Sequence, residues 1–362
     1  MQGEEKKTDI RKIFKSSSLI VKEAYENIRR YQTGELVPAK TGYKYIDDAL
    51  LGGLYPQNAI AIGARPSEGK SYVAQKIMEN VMNPYINPQA SEYFLVNCEF
   101  EMNPVDLLLR RINRETGRSI RDILLKKQTK LEDAKIAEIL QKETNPNIVY
   151  IPQPCSAQEF EEAVAMVCEA QKDKKLVIFK IDHIALTKRL GGDAKRTMDT
   201  MVAIMNDAKL KYHNVLFFII SQFNREIEGR TKPMEHAPRM SDFYMSDELG
   251  QLCSLMIGLN NPRRRGINEY MKFPSSWYSS LDRFKTQSKT SFKTDGLIFH
   301  HILKVRQTRM EELSDIIYPE VMPGWGAYYG EGGVKFVNPD RPPEAPREYT
   351  FDDEEEEDNV PY

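Results

Sequence analysis

Ala64-Arg65-Pro66-Ser67-Glu68-Gly69-Lys70-Ser71 carries the densest chemical signal in the chain. The apolar run Ala59-Ile60-Ala61-Ile62 precedes it, and a helix-like pattern, Tyr72 to Met78, follows. Strand, tight loop and helix form the setting of a phosphate-binding loop. In that setting backbone N–H groups of the loop and of the helix N-terminus face an anion. Lys70 then reaches the β- and γ-phosphates of a nucleotide, and the Ser71 hydroxyl ligates Mg²⁺. The strict pattern has Gly where Ala64 stands, so the segment alone also fits a plain turn containing Gly-Lys-Ser.

Three further segments could complete such a site. Leu176-Val177-Ile178-Phe179-Lys180-Ile181-Asp182 is a mostly apolar strand ending in a carboxylate. Asp182 is placed to hold the metal, commonly through water, while the strand anchors it. Glu99 and Glu101 follow the apolar run Tyr93–Cys98. Either could polarise the attacking water of ATP hydrolysis, and spacing does not choose between them. Gln222, after the apolar run ending Ile219-Ile220-Ser221, could sense the γ-phosphate and transmit its loss to the following loop.

These residues need a rigid frame. Apolar runs recur at Ile60–Gly63, Tyr93–Cys98, Ile148–Ile151, Leu176–Ile181, Val215–Ile220, Leu255–Leu259 and Ile298–Leu303. Helical patterns at 104–114, 131–142, 157–171 and 196–211 lie between them. The alternation predicts an α/β domain with a central, mostly parallel sheet flanked by helices. Ligands of such sheets bind at the carboxyl ends of the strands, where all four segments fall.

An amphipathic helix is expected over 9–31, with Ile10, Ile13, Phe14, Val21, Tyr25 and Ile28 on one face and Thr8 or Asp9 as cap. Gly34 to Lys40 reads as a linker. Residues 260–294, with Arg263-Arg264-Arg265, Lys285, Lys289 and Lys293, read as a basic surface insertion or hairpin. Residues 321–362 are rich in Gly, Pro and acids, and the last dozen are expected to be disordered. The division is therefore an N-terminal helix in 1–36, an ATPase domain in 37–320 and an extended region in 321–362.

Bulk properties narrow the class. The 362 residues, 41% hydrophobic and 29% charged, suffice for a large core. No apolar run is long enough to span a membrane, and the N-terminus lacks the apolar stretch of a signal peptide, so a cytoplasmic protein is expected. Cys98, Cys155, Cys168 and Cys253 form no CxxC pair and read as reduced core residues. His300-His301 is a poor chelate, because adjacent strand residues face opposite ways. The net charge of −2 hides an acidic block, Asp352 to Asp358. The remainder is mildly basic, which fits a nucleic-acid partner.

Taken together the motifs resemble the RecA-like motor domain of the DnaB family of hexameric replicative helicases. The family entry T-G-Y/F-x-x-L-D resembles Thr41-Gly42-Tyr43-Lys44-Tyr45-Ile46-Asp47, before Gly53-Leu54. Its phosphate loop A-R-P-S-x-G-K-[ST] is matched by Ala64–Ser71, which makes the missing first Gly a family trait. L-E-M corresponds to Phe100-Glu101-Met102, I-D-Y-L to Ile181-Asp182-His183-Ile184, and S-Q-L-N-R to Ser221-Gln222-Phe223-Asn224-Arg225. S-D-L-R aligns with Ser241-Asp242-Phe243-Tyr244, and K-Q-R with Lys304-Val305-Arg306. The likeness runs over roughly residues 8–315, in order.

The resemblance implies an ATP- and Mg²⁺-dependent P-loop NTPase that forms a ring, commonly a hexamer, and unwinds DNA while moving on a single strand. It selects Glu101 as the catalytic base. It makes Arg306 an arginine finger supplied to a neighbour's γ-phosphate, with Lys304 beside it. The N-terminal helix becomes a linker helix packing on the adjacent subunit. DNA-contacting loops map to 188–196, with Lys188, Arg189, Lys195 and Arg196, and to 225–246, with Arg225, Arg230 and Arg239. Binding through these cations would be independent of base sequence.

The chain also departs from the family. Tyr244 and Gly250 stand where the family has Arg and Glu, and 260–294 is longer than expected. The helical collar that meets primase is not in this sequence, an arrangement expected of a phage or other mobile-element replisome in a bacterial host cytoplasm. The tail, Phe351, the acidic block and Asn359-Val360-Pro361-Tyr362, resembles tails that dock on replisome proteins such as a polymerase, primase, loader or single-strand-binding protein. Two other readings share the phosphate loop: a DNA-stimulated RecA-like ATPase of recombinase or loader type that does not unwind, and a scaffold that binds ATP to assemble.

Overall fold

All seven apolar runs form strands of one sheet. The computed structural model describes residues 15–125, 130–188, 193–230, 236–244, 246–270, 292–294, 297–306, 317–321, 327–330 and 333–336. In chain order the elements are α1 Ser17–Gln32, α2 Lys44–Ala49, β1 Asn58–Ala64, α3 Lys70–Val81, β2 Tyr93–Glu99, α4 Pro104–Thr116, α5 Ile120–Leu125, α6 Lys130–Glu143 and β3 Ile148–Ile151. Then come α7 Ala157–Ala170, β4 Leu176–Asp182, α8 Ala194–Lys211, β5 Val215–Gln222, α9 Ser246–Leu252, β6 Leu255–Asn260, β7 Glu269–Tyr270, β8 Phe292–Lys293, β9 Leu297–Val305 and β10 Ile317–Val321. Strands β11 Ala327–Gly330 and β12 Gly333–Phe336 pair separately.

The sheet has eight strands in the order β10-β9-β6-β1-β5-β4-β2-β3. From β6 to β3 every neighbour is parallel, and β9 and β10 add an antiparallel edge. Strands β1, β2 and β4 are buried along their whole length. Helices cover both faces, so these sequences read as continuous apolar runs without alternation. On one face Ile46 and Leu50, from α2 and its end, join Val73 and Ile77 of α3 over Ile60, Ile62, Leu95 and Ile178. On the other, Phe160 of α7 and Met201 and Met205 of α8 pack on Phe179 and Phe217. All four cysteines are buried and unpaired, as expected of core residues. His300 and His301 face opposite ways, bonding Tyr45 and Tyr270 respectively.

Helix α1 starts later than expected. Ser16, not Thr8 or Asp9, caps it by accepting from the Leu19 N–H, and residues 1–14 lie outside the described part. None of its residues is buried, and Val21, Tyr25 and Ile28 are all more than half exposed. The insertion is only partly described. Its first residues form a short turn of helix, Pro262–Arg265, and β7 and β8 pair antiparallel as its base. Lys285, Lys289 and the acidic tail lie outside the described residues. Among the described residues, no helix is long and apolar enough to cross a membrane.

Candidate active site

The phosphate loop leaves β1 at Ala64 and enters α3 at Lys70. Gly69 sits before α3 with φ of 93°, in the left-handed region. A Cβ there would be strained and would stand 2.4 Å from the Ile298 side chain, so glycine is the residue that fits. The loop places Lys70 and Ser71 as the first residues of α3, where helix N–H groups converge on an anion.

Strands β2 and β4 bring their carboxylates alongside. Glu99 and Asp182 are register partners, and the backbone N–H groups of Phe100 and Glu101 both donate to the Asp182 carbonyl, at 2.7 and 3.2 Å. This fold of the chain over the end of β4 separates the two glutamates. Glu99 is buried and forms an ion pair with the equally buried Lys180. Burial raises the Glu99 carboxyl pKa above its usual range, and Lys180 opposes that rise. Glu101 lies beyond the strand, partly exposed, with Oε2 2.6 Å from Lys70 Nζ. Lys70 Nζ is also 3.9 Å from Asp182 Oδ1. Lys70, Glu101 and Asp182 are therefore brought together, whereas Glu99 is tied up in the interior.

The donor set fits a hard cation. Asp182 Oδ1 is buried with no hydrogen-bond partner among the described residues. No cluster of three ligating side chains occurs among them. A hydroxyl from Ser71 and one carboxylate, completed by substrate phosphates, is the donor pattern Mg²⁺ takes, rather than a cage made wholly by protein. Gln222 ends β5 in register with Ala64, at the same edge of the sheet.

Two residues at the site escaped the sequence reading. His183 Nε2 stands 3.7 Å from Glu101 Oε2, and burial, followed by the Lys70 charge, lowers its pKa. Its place directly after Asp182 was the available signal. Lys209 of α8 is the second, and it belongs to a different edge.

Arg306 and Lys304 lie at that other edge. Strand β9 runs antiparallel to β6, pairing Val305 with Leu255, and Leu255 pairs with Ile60. Arg306 is thus at the amino end of the parallel strands, roughly five to six strand residues from Ala64, or about 16–20 Å at a rise of about 3.3 Å each. It cannot reach the phosphate loop of its own chain. Lys209, Lys304 and Arg306 instead donate to the carbonyls of Leu252, Gly250 and Gln251, at the end of α9. Burial is the first cause lowering the pKa of both lysines, and the Arg306 charge lowers them further. Among the described residues these three clustered cations bond only carbonyls, which makes a surface suited to an external anion. Lys209 was missed because it is remote in sequence from Lys304.

The proposed DNA-binding cations separate into two groups. Lys188, Lys195, Arg196, Arg225 and Arg239 are exposed, with Lys188 Nζ 3.3 Å from Glu159. Arg189 lies outside the described residues. Arg230 behaves differently. It bonds the fully buried Asp242 in two places and the Ala237 carbonyl at 3.0 Å, and its side chain is 12% exposed. It holds the loop together and is removed from the DNA-facing set.

Residues 39–270 match the family described as DnaB-like helicase C terminal domain. The chain belongs to this family. Replicative DNA helicase DnaB of Buchnera aphidicola subsp. Baizongia pistaciae is 26% identical over 218 residues, 60% of this chain and 45% of that protein. Its counterpart from Geobacillus stearothermophilus is 24% identical over 250 residues, 68% and 52% respectively. The chain spans about half the length of the curated relatives it matches. Among solved structures, one described as an ATPase domain has a TM-score of 0.60 at 17% identity, covering 84% of this chain and 94% of that one. A DnaB-like replicative helicase described with its interactions with primase has a TM-score of 0.58 at 16% identity, covering 84% and 64%. The RecA-like architecture expected from the motifs is the one these neighbours share.

Proposed function

We propose that the chain is the ATP-driven motor of a ring-forming replicative DNA helicase. One observation carries the reading: Lys70, Glu101 and Asp182 meet at the carboxyl edge of the sheet, while Arg306 lies exposed at the opposite edge. A site divided in this way is complete only between two subunits. ATP binds along Ala64–Ser71. Lys70, which bridges Glu101 and Asp182, exchanges them for the β- and γ-phosphates. Glu101, released from Lys70, accepts the proton of the attacking water. When bound, Mg²⁺ neutralises charge on the phosphates. Ser71 and Asp182 would hold it, Gln222 would read the γ-phosphate, and a neighbour's Arg306 and Lys304 would stabilise the transition state. The apolar face of α1 would cover the neighbouring subunit, and Lys188, Lys195, Arg196, Arg225 and Arg239 would follow single-stranded DNA through its phosphates.

Strand displacement on a forked duplex, followed beside ATP hydrolysis, tests the reading. ATP-dependent displacement supports it. DNA-stimulated hydrolysis without displacement selects the recombinase or loader alternative.

Substitutions in the loop separate its two kinds of arginine. Arg225→Ala leaves the denaturant midpoint unchanged and lowers the salt slope of single-strand affinity by about one. Arg230→Ala leaves Asp242 buried without its ion-pair partner and destabilises the fold by about 3 kcal/mol, read from the same denaturation curves. The acidic tail is proposed to dock on a basic, aromatic-lined pocket of a replisome protein such as a polymerase. Deleting 350–362 then preserves ATP hydrolysis and lowers polymerase-coupled synthesis, and unchanged coupling removes that role.

A further inference from the structure

The phosphate loop is held from outside by side chains that its nucleotide chemistry does not require. Arg65 leaves the loop and donates through Nη1 to the Phe223 carbonyl at 2.7 Å and through Nε to Glu228 at 2.6 Å. Phe223 directly follows β5, and Glu228 lies within the proposed DNA loop of 225–246. Glu68 turns the other way and is 2% exposed. Its carboxylate accepts from the backbone N–H groups of Arg65 and Asn261 and faces the charge of Arg265. Burial pushes its pKa up to about 7, and the charge of Arg265 is the largest opposing influence.

Arg265 closes the circuit. Its guanidinium donates to the Ile227 carbonyl at 3.0 Å, to the His236 carbonyl at 3.2 Å, and to the Asn260 side chain. Asn260 in turn donates to the same His236 carbonyl at 3.2 Å. Arg264 adds a contact to the Ser67 carbonyl at 3.2 Å. The path therefore runs from the phosphate loop through Arg65 to Phe223 and Glu228, and returns from Ile227 through Arg265 and its neighbour Arg264 to Ser67. The aromatic pair Phe223 and Phe243, with ring centroids 5.0 Å apart, packs where a Cβ on Gly63 would be. The ring of contacts is thus seated on the strand that feeds the phosphate loop.

Elements joined by packed side chains and charge-assisted hydrogen bonds transmit a displacement when both ends favour discrete arrangements. The physical warrant here is one short stretch of chain that holds both ends: Arg264 donates to the Ser67 carbonyl of the phosphate loop, and the adjoining Arg265 donates to two carbonyls of the other segment. We propose that Glu228 and Arg265 are positioning residues that tie the phosphate loop to residues 223–230 and 236–244, so that nucleotide occupancy resets the backbone of that segment. The proposal rests on the reading that ATP occupies Ala64–Ser71, and through it on the DNA response of a helicase motor. It assigns a task to the start of the 260–294 insertion that its basic composition did not reveal.

Hydrogen exchange of the full-length protein, with and without a non-hydrolysable ATP analogue and Mg²⁺, tests the link. In the wild type the analogue slows exchange in peptides covering 223–230 and 236–244. Glu228→Gln loses that slowing by about fivefold, a typical size for a coupling between sites. Its ATP hydrolysis without DNA stays at the wild-type level, because Arg65 keeps its bond to the Phe223 carbonyl. Arg265→Lys retains the charge facing Glu68 and loses the fork to two carbonyls, so it uncouples peptides 236–244 more than 223–230. Slowing that persists in both variants overturns the proposal, as does its absence from a wild type that binds the analogue. Where Arg265→Lys fails to fold, the exposed Glu228→Gln decides alone. Wild-type protein that shows the slowing without displacing DNA defeats the helicase reading and upholds the link.

Discussion

Arg306→Ala lowers steady-state ATP hydrolysis by about 10³-fold or more while nucleotide binding persists. The magnitude follows from charge developing on the transferred phosphoryl group in a site shielded from water. The specificity of the expectation follows from position: Arg306 is exposed at the amino end of the sheet, far from its own phosphate loop. Mixing makes the test decisive. Arg306→Ala supplies an intact loop and Glu101→Gln an intact finger, so a mixture of two nearly inactive proteins regains activity at the interfaces that combine them. Full activity in Arg306→Ala alone, or a mixture that stays inactive, refutes a finger supplied to a neighbour.

Glu101→Gln and Glu99→Gln, two residues apart, give opposite results. Glu101→Gln lowers kcat by about 10²- to 10⁴-fold, the range for loss of a general base, and leaves the unfolding midpoint near that of the wild type. Its side chain is 41% exposed, so the protein core does not depend on it. Glu99→Gln leaves the buried Lys180 ammonium without a counter-charge and costs about 3 kcal/mol of stability. Single-turnover hydrolysis and denaturant unfolding of both variants separate the two roles. A loss of chemistry in Glu99→Gln at unchanged stability would reverse the assignment.

The central strands were legible because both of their faces are buried, and burial on both faces leaves an uninterrupted apolar run. The edge strand β10 was not, since Pro319 and Glu320 interrupt its pattern, and an edge strand has fewer backbone donors to satisfy. Helices α2, α5 and α9 have six or seven residues, too few turns for periodicity to register. At the site, Lys70 and Asp182 were legible because local chain geometry fixes them: a loop before a helix and the end of a buried strand. Spacing could not rank Glu99 against Glu101, since the difference lies in Lys180 on the neighbouring strand. The roles of Arg230 and Arg265 were hidden for the same reason. Charge in a sequence shows that an arginine exists, whereas its partner, Asp242 or the carbonyls of Ile227 and His236, is chosen by the folded loop.

The opposite placement of Lys70 and Arg306 also has a stoichiometric consequence. Subunits that join finger to loop do so head to tail, using two different surfaces. Such contacts either close into a ring or continue as an open helix. In a closed ring every subunit owns one working interface, whereas an open assembly always ends in one idle loop and one idle finger. Hydrolysis per subunit then reports closure directly: it rises as the ends are eliminated. A subunit that lacks only its finger or only its base silences one junction, and one that lacks both silences the two junctions on either side of it.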